Sequence, residues 1–223
     1  MIILQGDLDD MRTRLDEELR EMNKEMIEMG SLCEKAISYA DKALLSQERD
    51  KAKLAINLQD EFKQKEKSLE NLCLKILLLE QPMASDLRQV SAALKMITDL
   101  RRIGEISGDM AEIIQYLEYE DHLEKLTTMA SNASSMVTNA INAFVQKDTD
   151  LAHKVIASDD IIDDLFIEER NEIIELIREN PNRNAYAIDL VMIAKYYEKI
   201  GDHAVNLAEW VIYSITGNRE RES

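Results

Sequence analysis

The sequence predicts an all-α fold, a tandem repeat of two antiparallel three-helix bundles. Three observations support it: six long stretches with helical periodicity, very little glycine or proline to interrupt them, and a self-similarity at a spacing of roughly 100 residues. The composition agrees. The chain has 223 residues, 45% hydrophobic and 32% charged, with 6 Gly, 2 Pro and 11 Met. That profile belongs to helix-rich globular chains, since sheet-rich alternatives need more turns.

The amphipathic stretches run from Asp9 to Leu45, Ala52 to Leu79, Ser85 to Leu117, His122 to Val145, Leu151 to Arg178 and Ala185 to Ile215. The breaks fall at "SQERD", at "EQPMASD" with Pro82 and Ser85 as the expected N-cap, and at "EYEDH", "QKDTD" and "NPNRN". Stacking residues 100 apart sets Asp50, Ala52, Ile56 and Asp60 on Asp150, Ala152, Ile156 and Asp160. Past the proline-containing loop the offset falls to 97, laying "RIGEISGDMAE" (102–112) on "KIGDHAVNLAE" (199–209). Two bundles are therefore expected, residues 1–119 and 120–223; a single six-helix bundle with shared helices is the alternative.

The formal charge of -17 disfavours nucleic acid and anionic lipid as partners, because basic patches recruit both. It suits cations and basic protein surfaces, although most of the 44 acids are expected to form a solvated face. No run approaches the ~18 apolar residues of a membrane span, and "MIILQGDLDD" lacks the pattern of a signal peptide, so a cytoplasmic protein without membrane insertion is expected. Cys33 and Cys73 stand alone among apolar neighbours and read as core thiols.

Gly104 and Gly201 occupy equivalent places in the repeat, and a glycine inside a helix costs about 1 kcal/mol relative to alanine. Close helix approach is the expected compensation, because Ala194, Val205, Ala208 and Ile212 lie within about 40° of Gly201 on a helical wheel. On that wheel Glu198 and Asp202 fall at about 60° and 100°, at the edge of the buried stripe. Asp159 and Asp163 fall at similar angles from Ile162 on the preceding helix. Two antiparallel helices would then turn four carboxylates into one groove. Their mutual repulsion calls for a positive neutraliser, and a hard cation bound through oxygen is the simplest, with Asn206 one turn beyond Asp202 as a further oxygen donor. The plainer reading is that these acids turn outward or pair with Lys and Arg.

"ASDDIIDDL" followed by "YYEKIGDHAVNLAE", together with "LLLEQPMASDLRQVSAALKMITDLRRIGEISGDMAE" in the first copy, resembles the PhoU family of phosphate-transport regulators over essentially the whole chain. The resemblance implies two PhoU-like three-helix bundles in a cytoplasmic protein, often a homodimer, that is not an enzyme. It implies a negative regulator of high-affinity phosphate uptake and of the phosphate-starvation response. The implied partners are the ATPase subunit of the phosphate ABC transporter and a phosphate-responsive histidine kinase. Some members carry iron or zinc on acid motifs, which implies Asp159, Asp163, Glu198 and Asp202 as metal ligands here, with Asn206 peripheral. In the first copy the aligned residues are Gln59, Lys63, Arg101 and Glu105. Lys63 and Arg101 are expected to pair with Glu105 and Asp109 in place of a metal; a weaker site built on Asp60 and Asp109 is the alternative.

A metal-free helical adaptor is the main competing reading, and a carboxylate-bridged metalloenzyme is another. The Glu-x-x-His pairs of di-iron bundles do not occur. His122, His153 and His203 are isolated in sequence, and His203, about 200° from Gly201, is expected at the surface.

Overall fold

The computed structural model describes residues 5–46, 48–79, 82–118 and 123–218, with side chains from residue 12 onward. Its helices are α1 (Gln5–Leu45), α2 (Arg49–Asn57), α3 (Gln59–Leu79), α4 (Ala84–Ile114), α5 (Glu124–Gln146), α6 (Thr149–Glu179) and α7 (Asn184–Thr216). A short 3-10 turn, Pro181–Arg183, joins α6 to α7. No described residue lies in a strand. No described helix is long and apolar enough to cross a membrane.

The second predicted helix is one rod with a tight turn in it. Leu58 N–H donates to Ala55 O at 3.2 Å, an i to i−3 bond, and α3 then continues with Phe62 N–H to Leu58 O at 2.9 Å. Leu58 is buried at 6% exposure, whereas its counterpart Ser158 is only half-buried on an unbroken α6. The turn thus draws an apolar side chain inward. At the proline-containing loop, α4 starts one residue before the expected cap: Met83 precedes it in extended conformation with no side-chain cap, so Ser85 lies inside the first turn. In the second copy, Asp148 does cap α6 and accepts from Leu151 N–H at 2.9 Å.

α1, the α2/α3 rod and α4 form the first bundle, and α5, α6 and α7 form the second. Equivalent helices meet across the seam between them. Thr138 Oγ1 donates to Glu34 Oε1 at 2.6 Å, and Gly30 abuts Ile141, so position rises along α1 as it falls along α5. On the other pair, Asp99 meets His203 at 2.8 Å and Arg88 lies against Gly217, so α4 and α7 are antiparallel too. The two copies are therefore related by an approximate twofold axis. One continuous apolar core runs through both, from Leu15 and Met22 to Leu207 and Val211. Cys33 and Cys73 are free and fully buried in it, and burial pushes the Cys73 thiol up to about 12.

Both glycines of the repeat are contact points. A Cβ on Gly104 would lie 2.5 Å from the ring of Phe62, and one on Gly201 would lie 2.9 Å from Asp159 Oδ1 and 3.2 Å from Ile162. Phe62 and Ile162 are equivalent, so each copy presses one apolar side chain of its middle helix onto a bare backbone of its last. Gly104→Ala is expected to destabilise the chain by about 1–2 kcal/mol, because overpacking against a buried ring outweighs the gain in helix propensity. Gly201→Ala meets the movable end of a carboxylate and is expected to stay within about 1 kcal/mol of the parent. Urea unfolding midpoints measure both, and equal losses would contradict the packing assignment.

Candidate functional site

The α6–α7 hairpin holds the carboxylates singled out by the sequence. Asp159 and Asp163 are one turn apart on α6, and Glu198 and Asp202 one turn apart on α7, so side chains at i and i+4 share a face on each helix. Asp159 lies over Gly201, and the missing Cβ leaves room for its carboxylate between the helices. Its Oδ1 is buried without a hydrogen-bond partner. Burial, then repulsion from Asp163, Asp202, Glu198 and Asp160, pushes the Asp159 carboxyl up to about 7. Asp163 is raised as well, by burial first and then by Glu198 and Asp202. Asp159 and Asp163 therefore both sense Glu198 and Asp202 across one crevice.

Two lysines on α7 enter the same crevice. Lys195 Nζ donates to Glu198 Oε1 at 2.5 Å, and Lys199 Nζ donates to Asp202 Oδ2 at 2.5 Å. Lys199 also stands 3.7 Å from Glu198 Oε2, which is buried and has no hydrogen-bond partner of its own. Asn206 is half-buried one turn beyond Asp202. Among the described residues, no three His, Cys, Asp or Glu side chains gather as the ligands of one metal ion would. The crevice thus presents two buried oxygens without a hydrogen bond, Asp159 Oδ1 and Glu198 Oε2, and two carboxylates, Glu198 and Asp202, whose charge is partly met by lysines. Sequence reading did not name Lys195 and Lys199; their spacing of three residues before Glu198 and Asp202 is the signal that marks them.

The equivalent place in the first copy is an ion-pair cluster, as expected, and keeps the expected Arg101–Glu105 pair, but Glu66 and Arg102 join it in place of Lys63 and Asp109. Arg101 pairs with Glu105 and, at 2.9 Å, with Glu66 of α3, while Arg102 also reaches Glu105 at 2.7 Å. Lys63 turns away to solvent and pairs with Asp60 of its own helix at 3.3 Å, because Asp60 is one turn back on the same exposed face. Asp109 lies instead near Tyr196 of α7 and lines a surface cleft with Glu112 and Asp189. Asp60 is exposed and pairs with Lys63.

His203 corrects the wheel assignment more sharply. Its ring Nδ1 lies 2.8 Å from Asp99 of α4, and its side chain is 23% exposed. α7 packs against α4, α5 and α6, so a direction that points away from one neighbour points into another. His153 is exposed, and His122 lies outside the described residues.

Fold and site together define a tandem-repeat helical protein with an acidic crevice in one copy and an arginine-centred ion-pair cluster in the other. The PhoU domain matches the sequence twice, over residues 26–114 and 126–211, and the chain belongs to the PhoU family. It is 31% identical over 212 residues to a phosphate-specific transport system accessory protein PhoU homolog of Clostridium acetobutylicum, covering 93% of this chain and 97% of that one. It is also 31% identical over 208 residues to the homolog of the same description from Pseudomonas aeruginosa, covering 92% and 86%. The crystal structure of PhoU from Pseudomonas aeruginosa superposes with a TM-score of 0.86 at 30% identity, covering 91% of this chain and 99% of that one. The phosphate transport system regulatory protein PhoU from Streptococcus pneumoniae gives 0.86 at 26%, covering 93% and 100%.

The raised Asp159 carboxyl has a sign. The folded chain holds that proton up to about pH 7, whereas the unfolded chain releases it near 3.8, so this group's contribution to stability is best at low pH and is lost as pH rises through that window. Asp159→Asn is expected to raise stability at pH 8 by about 1–2 kcal/mol, after discounting for partial exposure, and to change it little at pH 4. Urea unfolding at the two pH values tests this; an equal change at both would contradict the burial argument.

Proposed function

We propose that this chain, with residues 1–119 and 120–223 as its two bundles, is a cytoplasmic negative regulator of high-affinity phosphate uptake and of the phosphate-starvation response. It acts without catalysis, by contact with the ATPase subunit of a phosphate ABC transporter and with a phosphate-responsive histidine kinase, and it works as a homodimer. The observation that carries this reading is the double PhoU match across nearly the full length of relatives named as phosphate transport accessory proteins. The charge supports it, because a chain with 44 acids against 27 bases favours docking on basic protein surfaces.

A second element of the reading is a divalent cation, such as iron or zinc, in the α6–α7 crevice. Two buried carboxylate oxygens without a hydrogen bond support it, since an unsatisfied buried acceptor favours a cation that supplies the missing charge. Asp159 and Glu198 would hold the ion first. Asp163, Asp202 and Asn206 would complete its shell once the exposed Lys195 and Lys199 side chains release Glu198 and Asp202. The bound ion would supply positive charge that locks α6 to α7. Arg101 already does this for the first copy, where it bridges Glu66 of α3 and Glu105 of α4.

The purified chain is expected to be retained by immobilised transporter ATPase subunit and by the kinase; failure to bind either would sink the regulatory reading. In calorimetric titration with manganese or zinc after chelator treatment, the parent chain is expected to bind, and the double variant Asp159→Asn, Glu198→Gln to bind at least about tenfold more weakly. Binding untouched by that variant, or absent altogether, would leave the metal-free adaptor.

A further inference from the structure

The two bundles are closed differently at their tips. In the first, the N-terminal part of α1 runs beside the α3–α4 hairpin. Leu15, Leu19 and Met22 are buried there, Arg12 reaches Asp86 at 2.7 Å, Glu18 takes Lys75 at 2.5 Å, and Asn23 accepts from Gln89 at 3.1 Å. α5 is the counterpart of α1 at an offset of 100, yet it begins at Glu124, the position of Lys24. Among the described residues, no helical segment equivalent to residues 5–23 lies beside the α6–α7 tip. Leu176 is accordingly half-buried where its counterpart Ile76 is fully buried.

A cleft of about 510 Å³ opens at this tip, with Glu169, Ile173, Leu176 and Leu190 in its wall and Glu172, Glu175 and Glu179 also lining it. Glu169 stands where the first copy has the core residue Leu69. It is 2% exposed and makes no hydrogen bond or ion pair among the described residues. The nearby ammonium of Lys125 goes to Glu172 and, at 3.6 Å, to Glu168. Burial, with Glu172 adding and Lys125 opposing, pushes the Glu169 carboxyl up to about 7. A carboxylate in a core position, facing a cleft and lacking a partner, is unfavourable until something cationic arrives.

We infer that this cleft is a docking groove for a basic amphipathic helix of a partner protein, which takes the place that α1 fills in the first bundle and sets a Lys or Arg against Glu169. The groove from Glu169 to Glu179 is about 15 Å long at 1.5 Å per residue, nearly three helical turns. Its four glutamates face two cations, Lys125 and Arg178, the latter already paired with Glu175 at 2.5 Å. Charge also argues against a second copy of this chain supplying its own α1. Residues 5–23 carry seven acids against three arginines, which suits an acidic groove poorly. The inference rests on the reading of the chain as a regulator that acts by protein contact, and identifies one contact surface for it.

The test uses the intact chain and three labelled 19-residue peptides: one with leucines at helical spacing and lysines elsewhere, one with the same leucines and glutamates, and one with the sequence of residues 5–23. The lysine peptide is expected to bind, with methyl NMR shifts at Ile173, Leu176 and Leu190, and to lose at least tenfold in affinity on Glu169→Leu combined with Glu172→Gln. Glu169→Leu restores the residue of the first copy, and urea unfolding of the variant confirms that it folds. Equal binding to the variant, shifts confined to other acidic surfaces, or tighter binding of the 5–23 peptide would overturn the groove. A chain that captures the transporter ATPase subunit but leaves the lysine peptide free overturns the groove and spares the regulatory reading. Binding of the lysine peptide by a chain that captures neither the ATPase subunit nor the kinase supports the groove and overturns the regulatory reading.

Discussion

The close approach of the last helix to the middle helix in each bundle, made at Gly104 and Gly201, is the contact on which the rest depends. A glycine in a long helix is tolerated because it lets a neighbour's side chain touch the backbone directly. In the first copy that side chain is the ring of Phe62. In the second, Ile162 and the carboxylate of Asp159 share the space, so one packing device also carries an acid into a partly desolvated crevice.

The copies kept their packing and diverged in charge. Arg101, set between Glu66 and Glu105, neutralises its own surroundings, and the aligned Glu198 leaves a surplus of negative charge that two exposed lysines only partly offset. At the tips the divergence runs the other way. Arg12, Glu18 and Asn23 of α1 bind the α3–α4 hairpin through polar contacts around an apolar centre, whereas the tip of the α6–α7 hairpin has a buried glutamate and, among the described residues, no counterpart of the N-terminal part of α1. A twofold-like molecule is in this way made asymmetric at both the crevice and the tip. That asymmetry suits a protein with more than one kind of contact to make.

The helices and their repeat were legible because apolar periodicity and residue identity survive in sequence without tertiary information. The burial pattern along 161–170 indeed matches that along 61–70 position for position. The four acids were found because wheel angles place them at a stripe edge. What escaped depended on neighbours. The wheel of α7 treats one face as buried, but three helices surround it, so the His203–Asp99 pair was invisible. The turn at Leu58 follows from a demand of the core rather than from a glycine or proline. Lys63 was assigned by alignment to a space that its long exposed side chain leaves for Asp60.

Gly201 seats Asp159 in a partly desolvated crevice beside three other acids, and carboxyl carbon NMR on the intact chain reads that placement directly. In the absence of divalent cations, the account places the Asp159 midpoint near pH 7, falling when Zn²⁺ is added. A midpoint near the ordinary aspartate value of about 3.9, unmoved by the metal, would contradict it.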